Sequence, residues 1–124
     1  MLNGLLQNFE PSPDRIGKLF EQFVLNQILA TASSRDEDLQ ISTYRTENHA
    51  EIDFIIEHGS KTFAIEVKAS KNIGRHDLKG FRSFESFRGK EKFKSLVIYL
   101  GDVEKAMDGV EILPLEKALR TLFS

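Results

Sequence analysis

The chain has 124 residues, 40% of them hydrophobic, and a formal net charge of −2, which suits one domain with a real core and is too little for two. Ten Phe and no Trp make that core phenylalanine-rich, and the lack of any Cys excludes disulfides, thiolate metal sites and thiol nucleophiles. Oxygen-ligand metal chemistry is the kind left well supplied. No run reaches transmembrane length, and Leu2, Leu5, Leu6 and Phe9 are interrupted by Asn and Gln, unlike a signal peptide. The expectation is a soluble, cytoplasmic protein that does not engage a membrane.

Residues 1–11 read as a lead-in closed by Pro11 and Pro13. Ser12-Pro13-Asp14 is a helix start, with Ser12 as N-cap, proline at the first helical position and an acid in the first turn. The helix should run over 13–32, with Ile16, Leu19, Phe20, Phe23, Val24 and Ile28 as a broad apolar face. Glu21 falls at the edge of that face, where it either reaches outward to water or is paired or bound to metal. Gly17 would permit close packing of the helix on a sheet. Residues 39–45 alternate as a strand, and 46–50 form a turn in which His49 is either a solvated loop residue or a neighbour of the acids beyond it.

Residues 51–68 read as a hairpin around which the chain is organised. Both arms alternate charged or small residues with Ile, Phe and Val, and Gly59 in the first central place of a two-residue turn suits type II′. Paired residue numbers then sum to a constant. Ile52, Phe54 and Ile56 would face Val67, Ile65 and Phe63 on one apolar face. On the other, Asp53 would oppose Glu66 and Glu51 would oppose Lys68. Directly opposed carboxylates in a buried strand pair repel, so something must compensate. One answer is a divalent metal between Asp53 and Glu66, since Mg²⁺ commonly uses only one or two carboxylates. The other is a structural network in which Glu51 pairs with Lys68 and a lysine neutralises the remaining acids.

From Lys68 to Lys94 the chain carries nine Lys/Arg against Asp77, Glu85 and Glu91, which is either a nucleic-acid footprint or a solvated helix and loop. Residues 77–88 show helical spacing through Leu78, Phe81 and Phe84, weakened by Gly80. The continuous apolar run 95–100 predicts a central strand covered on both faces, parallel to a neighbour. Residues 110–113 form a last short strand and Pro114 opens a final helix. The fold class is α/β: a mixed central sheet flanked by helices, in the order α-β-β-β-α-β, then a short strand and a helix, all in one domain.

Asp53, then Glu66-Val67-Lys68, with Glu21 on the preceding helix, resembles the PD-(D/E)XK nuclease superfamily, and the element order is that of its restriction-endonuclease-like core. More narrowly, Gly17-Lys18-Leu19-Phe20-Glu21, Glu51-Ile52-Asp53-Phe54-Ile55-Ile56 and Ile65-Glu66-Val67-Lys68-Ala69-Ser70 resemble the C-terminal domain of predicted prokaryotic AAA+ ATPases. This chain has no P-loop and would be an isolated C-terminal piece or a stand-alone remnant. Ile52 stands where the superfamily's nominal proline would precede Asp53. The resemblance implies Mg²⁺ or Mn²⁺ on Asp53 and Glu66, with the Val67 carbonyl as a further ligand. Lys68 would orient or activate water and stabilise phosphate charge, and Glu21 would hold a water on the metal or a second metal. Lys71, Arg75, Lys79 and Arg82 would grip a nucleic-acid backbone irrespective of sequence. The function implied is a metal-dependent phosphodiesterase acting on DNA, with a homodimer among the assemblies such folds use. The other reading is a non-catalytic DNA- or protein-binding module associated with an AAA+ ATPase.

Overall fold

The computed structural model describes residues 12–124, so the lead-in lies outside the described residues. Helix α1 (Pro13–Ser34) starts as its sequence dictates: the Arg15 N–H donates to Ser12 Oγ at 3.2 Å, Pro13 occupies the first turn and Asp14 complements the helix dipole. Only part of its apolar surface turns inward. Val24, Ile28 and Ala32, one row at four-residue spacing, are buried, whereas Ile16, Leu19 and Phe23 are 43, 58 and 52% exposed. Phe20 and Leu25 flank that row, partly buried against the same core, and the apolar face is narrower than the helical wheel implies. Gly17 is not a close-packing position either, because a Cβ there would meet nothing within 4 Å.

Strands β1 (Gln40–Arg45), β2 (Glu51–His58) and β3 (Lys61–Lys68) form an antiparallel meander. Between β2 and β3 Gly59 has φ 62° while Ser60 does not take positive φ, as a type II′ turn requires. A 3₁₀ turn (Arg75–Leu78) and helix α2 (Lys79–Arg88) then cross to β4 (Lys94–Tyr99), which runs parallel to β3 and to β6 (Val110–Pro114). Leu96, Val97 and Ile98 of β4 are fully buried, alternating between the two faces as a continuous apolar run implies. Helix α3 (Leu115–Leu122) closes the described chain.

One strand exceeds the expected set. β5 (Lys105–Met107) pairs antiparallel with β6 and completes a six-stranded sheet of order β1-β2-β3-β4-β6-β5. Asp108 (φ 51°) and Gly109 (φ 81°) both take left-handed conformations between them, the type I′ turn that an Asp-Gly pair favours.

The helices cover both faces of the sheet. α1 and α3 share a core with Phe54, Ile56, Ile65 and Ile98, while Phe81 and Phe84 of α2 pack on Ile55, Val97 and Ile112. Where α2 begins, a Cβ on Gly80 would fall 2.1 Å from the Glu51 carbonyl oxygen. The glycine that weakens the helix locally is what lets it lie against the start of β2.

Candidate functional site

The hairpin does not keep a constant register to its open end. Ser42 of β1 lies opposite Ile55 and Tyr44 opposite Ile52, two steps on β1 against three on β2, so β2 carries an extra residue at the level of Asp53 and Phe54. Such a bulge inverts the inward and outward sense of the residues on its far side. Ile52 accordingly packs with Ile55 and α2, and not beside Phe54 and Val67 as strict alternation would have it.

The pairing of β2 with β3 also stops early. It runs from His58–Lys61 to Phe54–Ile65, while β2 stays on β1 to Glu51 and β3 stays on β4 to Lys68. The sheet thus forks, and the expected backbone pairs Asp53–Glu66 and Glu51–Lys68 do not form. Side chains fill the gap. The Asp53 N–H donates to Glu66 Oε1 at 2.7 Å and the Val67 N–H donates to Asp53 Oδ2 at 2.8 Å. Each carboxylate stands in for a missing carbonyl of the ladder, which satisfies two buried donors.

Desolvation sets the electrostatics. Glu66 is 5% exposed, and burial first, then the Asp53 charge, pushes its carboxyl up to about 8 against the pull of Lys68 and the Asp53 N–H. Asp53 is raised by burial too, opposed by the Val67 N–H and Lys68. Burial and mutual repulsion thus push both acids toward their neutral forms. Glu21 is raised by burial and then by Asp53 and Glu51, so the helix acid feels the same cluster.

Lys68 Nζ lies 3.5 Å from Glu66 Oε2 and 4.0 Å from Asp77 Oδ1. Glu51 pairs with Arg45 instead, at 3.3 Å, which corrects the expected Glu51–Lys68 bridge. A cleft of about 600 Å³ joins Lys18 and Glu21 of α1 to Asp53, Glu66, Val67 and Lys68 in the fork and to His76 and Asp77 of the 3₁₀ turn. Asp77 is the residue that reading the sequence missed. Its Oδ2 accepts the Gly74 N–H at 2.9 Å, which fixes the turn and aims Oδ1 at Lys68. An acid three residues after a glycine that starts a helical turn is a visible capping signal, but nothing local says that the turn sits beside Lys68.

The other basic candidates lie apart from the acids. Lys71, Arg75, Lys79 and Arg82 are all exposed and none lines the cleft. Arg75 and Arg82 converge on Asp108 Oδ2, at 3.3 and 3.5 Å, whereas Lys71 and Lys79 make no ion pair among the described residues. His49 is an exposed turn residue with φ 64° that does not line the acidic cleft.

The donor set fits a hard cation. Among the described residues no three Asp, Glu or His side chains are already gathered closely enough to hold a metal by themselves. Mg²⁺ does not ask for three, because it binds one or two carboxylates and keeps waters. Asp53 and Glu66 each spend one oxygen on a backbone N–H, and the second oxygen of Glu66 faces Lys68 at 3.5 Å. Val67 N–H points into the fork, and the carbonyl of the same residue is turned to the same strand edge.

No curated protein matches the chain. The family described as Domain of unknown function (DUF4143) matches residues 16–118, a span that contains Glu21, the fork, Lys68 and Asp77. With most of its length inside that match, the chain belongs to the DUF4143 family.

Proposed function

We propose that this domain is a metal-dependent phosphodiesterase acting on DNA, built on the plan of the PD-(D/E)XK superfamily. The observation that carries the reading is the fork, where Asp53, Glu66 and Lys68 come together beside Glu21 in one cleft. Asp53, Glu66 and the Val67 carbonyl would hold Mg²⁺ or Mn²⁺, with Glu21 beside them. When bound, such a cation supplies Lewis acidity toward a phosphate oxygen and toward water at neutral pH.

The remaining work falls to the chain itself. Lys68, steadied between Glu66 and Asp77, presents a fixed positive charge where negative charge develops on the phosphate. Exposed Lys71 and Lys79 are free to meet a nucleic-acid backbone, and Arg75 and Arg82 would do so by leaving Asp108.

The test is cleavage of supercoiled, linear and branched DNA with Mg²⁺ or Mn²⁺, comparing wild type with Glu66→Ala and Lys68→Ala. Loss of activity by about a hundredfold or more in each variant is expected; unchanged cleavage in both would sink the assignment. Calorimetric titration of Mg²⁺ and Mn²⁺ into wild type and an Asp53→Ala, Glu66→Ala double variant gives the companion result, with heat in the wild type alone.

A second reading has its own observation. Each acid already caps a backbone N–H, so the pair also serves to hold the fork shape in a non-catalytic module that binds DNA or an AAA+ ATPase. That module would bind in EDTA, with salt-sensitive affinity for DNA, and cut nothing.

A further inference from the structure

We infer that the opposite end of the sheet carries a second ligand site, one for a nucleoside phosphate. A cleft of about 520 Å³ opens where the β2–β3 turn, the loop entering β4 and the C-terminal turn of α3 meet, within the range of small-molecule sites. Among the described residues its wall contains four cations, Lys61, Lys92, Lys94 and Arg120, and no acidic side chain. Lys94 is paired with Glu111 at 3.3 Å and Arg120 with Glu116 at 2.6 Å, but both pairs are exposed and weakly held. Lys61 and Lys92 have no ion pair among the described residues. Two of the four cations, Lys61 and Lys92, therefore leave an excess of positive charge at the cleft.

The site is also built. Arg88 Nη2 donates to the Lys92 carbonyl at 3.2 Å and pairs with Glu91 at 3.4 Å, which holds the loop that presents Lys92. Phe63, 2% exposed, lines the cleft from the core shared with α1 and α3, and partly exposed Phe93 lines it from the core under α2, where it is set edge-on against Phe84 with ring centroids 4.9 Å apart. Ser60 and Thr62 line the same cleft. Clustered cations match the dense charge of a phosphate chain, and the partly exposed Phe93 ring at the same cleft offers apolar surface to a base. Lys61 and Lys68 stand at opposite ends of the eight-residue β3, roughly 23 Å apart at ~3.3 Å per residue step. The site is thus independent of the acidic cleft and does not rest on its chemistry.

The experiment is calorimetric titration of ATP, tripolyphosphate and adenosine, in EDTA, into the full chain. Wild type is compared with a Lys61→Ala, Lys92→Ala variant and with an Asp53→Asn, Glu66→Gln variant, each checked for fold by circular dichroism. ATP should bind wild type and the fork variant alike, with a Kd below about 1 mM, and at least tenfold more weakly to the lysine variant. Adenosine should bind far more weakly than ATP. Absence of ATP binding to wild type, or equal binding to the lysine variant, would overturn the site. Equal affinity for tripolyphosphate would overturn the base contact and with it the nucleotide assignment.

Discussion

Glu66 is buried in a fork where a negative charge is poorly tolerated until a cation arrives. Its folded-state value near 8 stands above the ordinary 4.5, so the native state keeps a proton that the unfolded state gives up. Below about pH 4.5 both states hold that proton and the stabilisation is fully present; it is lost as pH rises through 8. The metal-free domain should be more stable at pH 5 than at pH 9 by on the order of 4 kcal/mol, and Glu66→Gln should flatten the dependence. Urea denaturation in EDTA across that range reads it directly. A divalent cation selects the ionised pair, so its affinity should climb over the same interval. Asp77 offers a second residue-scale test. Asn at that position keeps an oxygen for the Gly74 N–H and removes the charge beside Lys68. Asp77→Asn should slow cleavage by about tenfold with stability within ~0.5 kcal/mol of wild type, and an unchanged rate would remove Asp77 from the site.

At the level of elements, the hairpin itself is legible in the sequence while its open end is not. The II′ turn at Gly59 and the pairs from Glu57–Thr62 to Phe54–Ile65 come directly from period-two alternation and turn chemistry. The bulge at Asp53 and Phe54 arises from how β2 meets β1, a distant partner in sequence terms, and it cancels the alternation just where the acids lie. Helix α1 is legible in its start and in Val24, Ile28 and Phe20 on its inner side, but not in the exposure of Ile16, Leu19 and Phe23, because the sequence offers more apolar residues than the sheet can cover. The Asp108-Gly109 pair is the strongest short-range hairpin signal in the chain, yet the strands beside it are too short for alternation to reveal β5. Two predictions belong here. Gly80→Ala should destabilise by about 1–3 kcal/mol, because its methyl group meets the Glu51 carbonyl and must push α2 off β2; thermal unfolding measures it. Asp108→Asn keeps a residue that tolerates left-handed φ and releases Arg75 and Arg82. DNA affinity in low salt should rise with it, and an unaltered affinity would show that those arginines do not touch the backbone.

For the molecule as a whole, the central position of β4 makes it the keystone of both cores. Ile98 is fully buried under α1 and α3, and Ile98→Ala should cost about 2–5 kcal/mol, a large share of what a domain of this size possesses. The same strand order sends charge of opposite sign to the two ends of β3. Acids gather where β3 ends and cations where it begins, so the two proposed ligands would bind without competing.

The margins of the sheet matter for a different reason. One lateral strand, β5, is three residues long, and the other, β1, presents Gln40, Ser42, Thr43 and Arg45 largely to solvent. Unpaired backbone at a sheet margin is a template for another chain to add to, and brevity and polarity are the usual defences. Replacing Asp102 and Glu104 with Val or Ile to lengthen β5, or making β1 apolar, would expose a stickier margin through which chains would associate before the core is disturbed.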